Sequence, residues 1–155
     1  MDRQGRLTSL ISAAAVVLGL VFVGYELRQN TAMMRGETMQ SISDTYVGYV
    51  TSIGLDPELA ELFRRFHNGD TTEDFTPTEN TRIIVFFNAF VQMLENSYLQ
   101  QREGLVPDAI FESYGWRWGM IQTQRFEEYW TQSAQLVVGS EFAEFFENRV
   151  QIGPT

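Results

Sequence analysis

Cysteine and lysine are both absent from this chain, and histidine occurs once, at His67. The missing cysteines exclude disulfides, thiolate nucleophiles, cysteine-ligated zinc and iron–sulfur clusters, and they fit either redox compartment. The missing lysines exclude a Schiff base and a P-loop lysine. A single histidine excludes the paired Glu-x-x-His motifs of a di-iron carboxylate bundle. It also leaves a Ser-His-Asp triad only His67 to use, with no Gly-x-Ser-x-Gly elbow to serve. No glycine-rich phosphate loop or dinucleotide fingerprint is present. Two of the twenty acidic residues could still meet for acid–base work, but no motif points to a pair. The expectation is a non-catalytic protein with no cofactor and no metal.

All eleven basic residues are arginine, and the net charge is −9. Residues 1–35 are net +2, whereas residues 36–155 are net −11. Phosphate contacts need clustered positive charge, so nucleic acid is not an expected partner of so acidic a domain. Anionic lipid head groups would repel it as well. The charge serves solubility.

Leu7 to Tyr25 reads LTSLISAAAVVLGLVFVGY, nineteen residues without an Asp, Glu, Lys or Arg. At ~1.5 Å per residue such a helix covers about 28 Å, close to the ~30 Å hydrocarbon core of a bilayer. Its Leu, Ile, Val and Phe side chains favour insertion by about 0.3–0.6 kcal/mol each, and its Ser and Thr hydroxyls bond back to helix carbonyls. The rival is a cleaved signal peptide with Arg3 and Arg6 as its basic region. The run is longer than the usual apolar region of a signal peptide, and it exits into Gly24-Tyr25-Glu26 with no Ala-x-Ala-like site. An uncleaved transmembrane anchor is expected. Arg3 and Arg6 before the run balance Arg28 and Arg35 after it, so the positive-inside rule assigns the domain no side. Gly19 and Gly24 would let another helix approach closely.

No proline interrupts the chain between the span and Pro57, so one helix is predicted to run to about Ser52, with Gly36 or Gly48 as points of loosening. Met39, Ile42, Tyr46, Tyr49 and Ile53 recur at helical spacing and form a core or helix–helix seam. Asp56-Pro57-Glu58 is a helix start, and Leu59, Leu62, Phe63 and Phe66 make the apolar face that follows. Asn68-Gly69 ends that helix, which places His67 at a helix end. Asp70 to Phe75 reads as an acidic loop. Thr76-Pro77-Thr78-Glu79 is a capping box before Ile83 to Leu94, a run too short for a bilayer and therefore a buried central helix. Asn88, Gln92, Glu95 and Asn96 form a polar stripe on it, read as the solvent side. The sharper alternative is a seam facing a ligand, with Glu95 as its titratable group. Arg102-Glu103-Gly104 closes the helix.

Pro107 opens a helix with Phe111, Tyr114, Trp118 and Ile121 inward. Gly115 and Gly119 could admit a close neighbour. Trp116, Arg117 and Trp118 are the best candidates for a partner or ligand contact, because Trp and Arg are enriched in binding hot spots; ordinary packing is the plainer alternative. Phe126, Tyr129, Trp130, Ser133 and Val137 mark a fifth helix ending at Gly139. Ser140 caps a sixth, with Phe142, Phe145, Phe146 and Val150 inward and Glu141, Glu144 and Glu147 outward. No β-type alternation occurs. The fold class is all-α: one N-terminal transmembrane helix continuing into a bundle of about six helices. The domains are 1–26 flank and anchor, 27–152 bundle and 153–155 tail.

A span leading into Tyr25-x-Leu27-Arg28-Gln29-Asn30-Thr31, with Arg35 four residues on, resembles a group of small bacterial membrane-anchored helical proteins without an assigned activity. Gly104-Leu105, Arg125-Phe126, Tyr129-Trp130 and Glu141-Phe142 extend the likeness loosely over most of the chain. Thr123-Gln124 stands where such proteins usually have a Pro-Gly or similar break. The resemblance implies a single-pass protein of the bacterial inner membrane and says nothing of chemistry. Two functional expectations follow from these features. The first is an interaction protein, self-assembling as a homo-oligomer or serving as an accessory subunit of a membrane complex. The second is binding of an apolar ligand (lipid, quinone or pigment) in a core lined by Phe86, Phe87, Phe90, Trp116, Trp118 and Trp130.

Overall fold

The computed structural model describes residues 3–113 and 119–150. Among the described residues it is all-α, with six helices: α1 Arg3–Leu55, α2 Pro57–His67, α3 Pro77–Arg102, α4 Asp108–Ser113, α5 Gln124–Gln132 and α6 Ser140–Val150. Short 3-10 turns fill Thr72–Asp74 and Ala134–Leu136. The chain divides into two compact units, Met1–Glu37 and Thr38–Thr155, and the division falls inside α1.

In the first unit every side chain from Leu7 to Glu37 is exposed. Among the described residues, this is the one helix long and apolar enough to cross a membrane. Gly19 and Gly24 have no neighbour where a side chain would project. The helix continues through Gly36 and Gly48 without a break and ends at Leu55, three residues beyond the expected Ser52.

The second unit folds as its caps dictate. Asp56 Oδ1 accepts from the backbone N–H groups of Glu58 and Leu59 at 2.9 and 3.1 Å, with Pro57 at the first helical position. Asp56 Oδ2 takes Arg82 Nη2 at 2.7 Å, and the other Arg82 nitrogen pairs with Glu58, so the start of α2 is tied to α3. Thr76 and Glu79 form the expected reciprocal box, with Thr76 N–H donating to Glu79 Oε2 at 2.8 Å. Gly104, after α3, has φ +71°, a left-handed conformation that suits a residue without Cβ.

The core is aromatic. Phe87, Phe90, Phe126, Tyr129, Trp130 and Phe146 are fully buried. Their rings meet at centroid distances such as 5.1 Å for Phe87–Phe126 and 4.3 Å for Trp130–Phe146, the range in which offset and edge contacts add to simple burial. The α1 seam joins this core: Ile42 is buried, Met39, Tyr49 and Ile53 pack against it, and Tyr49 stacks on Phe86 at 4.4 Å.

Three expectations are corrected. The helix after Pro107 does not reach Ile121 intact. Its described part ends at Ser113, and residues 119–122 form a turn in which Ile121 is still buried. The fifth helix stops at Gln132 and not at Gly139, because the chain tightens into the 3-10 turn Ala134–Leu136. Glu147 does not face solvent alone: its Oε1 accepts the indole N–H of Trp130 at 3.0 Å, satisfying a donor that burial would otherwise orphan.

Candidate functional site

Within the second unit, the outer part of α1, α3 and α4 enclose an apolar groove of about 400 Å³. Helical spacing puts its lining on facing surfaces. Met39, Ile42 and Tyr46 come from α1, Phe90 and Met93 from α3, and Ile110 from α4. All of its lining among the described residues is uncharged. Ser97 Oγ donates to the Met93 carbonyl at 2.9 Å and Ser113 Oγ to the Ile110 carbonyl at 2.6 Å, so these two hydroxyls are engaged locally. The chemistry offered is apolar contact.

Of the predicted residues, the structure gathers Met39, Ile42 and Tyr46 at this groove and places Tyr49 and Ile53 further along the same helix, against the core. Glu95 lies elsewhere. Its Oε1 accepts the Gly139 N–H at 2.6 Å, and a Cβ on Gly139 would come within 3.1 Å of it. It anchors the connection between α5 and α6. The polar stripe is therefore split: Gln92 and Asn96 are exposed as expected, whereas Glu95 and Asn88 hold partners, Asn88 Oδ1 accepting the Tyr129 hydroxyl at 2.7 Å. Burial pushes the Tyr129 phenol pKa up, so it stays protonated and keeps the proton that it donates to Asn88. Trp116, Arg117, Trp118 and Gly115 lie outside the described residues, as does Tyr114. Gly119 lies beside the His67 ring, with His67 Nε2 3.7 Å from where a Cβ would stand. His67 Nδ1 is 2.8 Å from the Phe63 carbonyl oxygen, which takes the ring proton there, and the ring stacks on Phe63 at 4.6 Å.

The contacts that Arg65 and Arg125 make with residues 70–80 escaped sequence reasoning. Arg65 spans the whole loop. Nε binds Asp70 at 2.8 Å, Nη1 binds Glu79 at 2.8 Å, Nη2 donates to the Asp74 carbonyl at 2.6 Å, and the guanidinium lies 4.2 Å from the Phe75 ring centre. Arg125, only 2% exposed, donates from Nη2 to Asn80 Oδ1 at 2.9 Å, while its Nε has no hydrogen-bond partner. Burial pushes its pKa down and the nearby Glu128 carboxylate pushes it up. Glu128 itself clamps Thr72 through both backbone and hydroxyl, at 2.9 and 2.5 Å. The acidic loop is thus a fastened strap. Thr71-x-x-Asp74 was its legible signal, since Asp74 Oδ2 accepts the Thr71 N–H at 2.8 Å.

Fold and site together define an all-α protein with one long apolar N-terminal helix, a packed aromatic core and an apolar groove beside it. Comparison with known proteins adds no relative: no family model, no curated protein and no solved structure matches the chain.

Proposed function

We propose that the protein is a non-catalytic interaction module of the bacterial inner membrane, held by a single N-terminal span and working through assembly with copies of itself or with other membrane subunits. The observation that carries this reading is the uneven cover of α1 between Met39 and Gly54. Its apolar arc is wider than the core it packs on. Ile42 is 5% exposed, whereas Tyr46, Val47 and Val50, on the neighbouring part of the arc, are 41%, 55% and 40% exposed. An amphipathic helix whose apolar stripe outruns its own core has surface left for a second helix.

The absence of cysteine makes the test direct. A Val47→Cys variant introduces the one thiol in the chain. Oxidation in native membranes should link it to a second copy, or to one other polypeptide of fixed mass, while Gln92→Cys on the exposed side of α3 stays unlinked. A Val47→Cys protein that remains uncrosslinked, with a strictly monomeric mass in mild detergent, would sink the proposal.

A further inference from the structure

We infer that the groove between α1, α3 and α4 binds the hydrocarbon chain of a single-chain lipid with an uncharged head. The inference rests on the membrane-anchor reading but not on assembly, and it moves the ligand site away from the aromatic core, where Phe87, Phe90, Phe126 and Trp130 leave each other no room.

Four observations fix the class. The volume of about 400 Å³ lies in the lower part of the ~300–1,000 Å³ range of ligand pockets, enough for one chain and too little for a lipid with two. Its described lining is hydrocarbon, aromatic ring, thioether and hydroxyl, with no side chain to pair with a charged head. Met39 from α1 and Met93 from α3 both line it, and unbranched thioethers adapt to a flexible chain better than to a rigid ring system. On α1 the residue after the lining Ser43 is Asp44, and on α4 the residue before the lining Ser113 is Glu112, which pairs with Arg149. A carboxylate or phosphate head would find no cation among the lining side chains to pair with. An uncharged single-chain lipid meets all four conditions, and a bilayer supplies such molecules to a protein anchored in it.

The test uses full-length protein in phosphatidylcholine nanodiscs and a photoactivatable monoacylglycerol carrying a diazirine near the chain end, with adducts mapped by peptide mass spectrometry. Labelling is expected on α3 and α4, at peptides containing Met93 and Ile110, and lost in excess unlabelled monoacylglycerol. A Ser43→Trp variant fills the groove from an exposed position on α1. It should lose the α3 and α4 adducts while melting and helix content stay at the parent values. The span peptide Leu7–Tyr25 is the internal control. A labelled span with unlabelled α3 and α4 overturns the groove site and leaves the anchor standing; a labelled groove with an unlabelled span overturns the anchor alone. Adducts that survive Ser43→Trp also overturn the site. Equal labelling by the matching fatty acid, with its carboxylate head, overturns the assignment of an uncharged ligand.

Discussion

α1 contains two apolar stretches that dispose of their surface in different ways. From Leu7 to Leu27 the large side chains point in every direction around the helix and all are exposed. From Met39 to Ile53 the apolar residues keep to one side, and part of that side is buried against α3. All-round apolarity has no answer inside a domain of this size and suits a hydrocarbon solvent, whereas a one-sided stripe needs one packed neighbour. The second stretch is also wider than its neighbour can cover, which leaves Tyr46, Val47 and Val50 exposed and the groove beside them. One helix thus shows how the angular width of a stripe, beyond its mean hydropathy, determines what it buries against.

The largest effect should come from deleting the same kind of side chain in the two regions. Phe87 is fully buried against Phe66, Phe126 and Tyr129. Phe87→Ala should lower the stability of the second unit by about 3–5 kcal/mol, the usual cost of a lost ring plus its cavity. Leu18→Ala, in the exposed first stretch, should leave that unfolding transition within about 0.5 kcal/mol. Thermal melts of full-length protein in mild detergent, followed by tryptophan fluorescence, make the comparison, since Trp116, Trp118 and Trp130 all belong to the second unit. A matching loss in both variants would mean that the two stretches share one cooperative core.

A smaller contrast separates capping from local bonding. Asp56→Ala removes the acceptor of two orphan N–H groups and the Arg82 pair, and should cost about 1–2 kcal/mol. Thr31→Ala removes a hydroxyl that only bonds back to the Leu27 carbonyl within a continuous exposed helix, and should move the same melt by less than about 0.5 kcal/mol. Equal effects would show that Asp56 is not acting as a cap.

Much of this comparison was legible in the sequence because it rests on local signals. The long apolar N-terminal helix, the caps at Asp56 and Thr76, the glycine after α3 and the one-sided seam of α1 each declare themselves within a few residues. What escaped was tertiary. Asn88 and Glu95 share a stripe with Gln92 and Asn96, and only the positions of Tyr129 and Gly139, more than forty residues on, decide that two of the four are engaged. The partners of Arg65 and Arg125 were hidden as well, since nothing in their own segments says that residues 70–80 will close over them. The groove was hidden for the same reason. Its residues are individually ordinary core types, and the gap between them depends on how three helices meet.

The smallest expected effect is a pH dependence confined to the second unit. Glu79 and Asp74 both titrate below their ordinary values of 4.5 and 3.8, Glu79 chiefly through the Thr76 backbone N–H and Asp74 chiefly through that of Thr71, with Arg65 adding to both. A carboxylate held below its unfolded value stabilises the fold fully above that unfolded value. The contribution is lost as pH falls through the lowered folded one. Stability should therefore be flat near neutrality and decline as pH drops from about 4.5 into the acid range. The exposed span has no carboxylate from Leu7 to Tyr25, so its helical circular dichroism should persist in detergent after tryptophan fluorescence reports the second unit open. Glu79→Gln should shallow the decline, because one of the two groups no longer binds a proton on unfolding. Loss of both signals at one midpoint would erase the distinction between an exposed apolar helix and a domain fastened by its carboxylates.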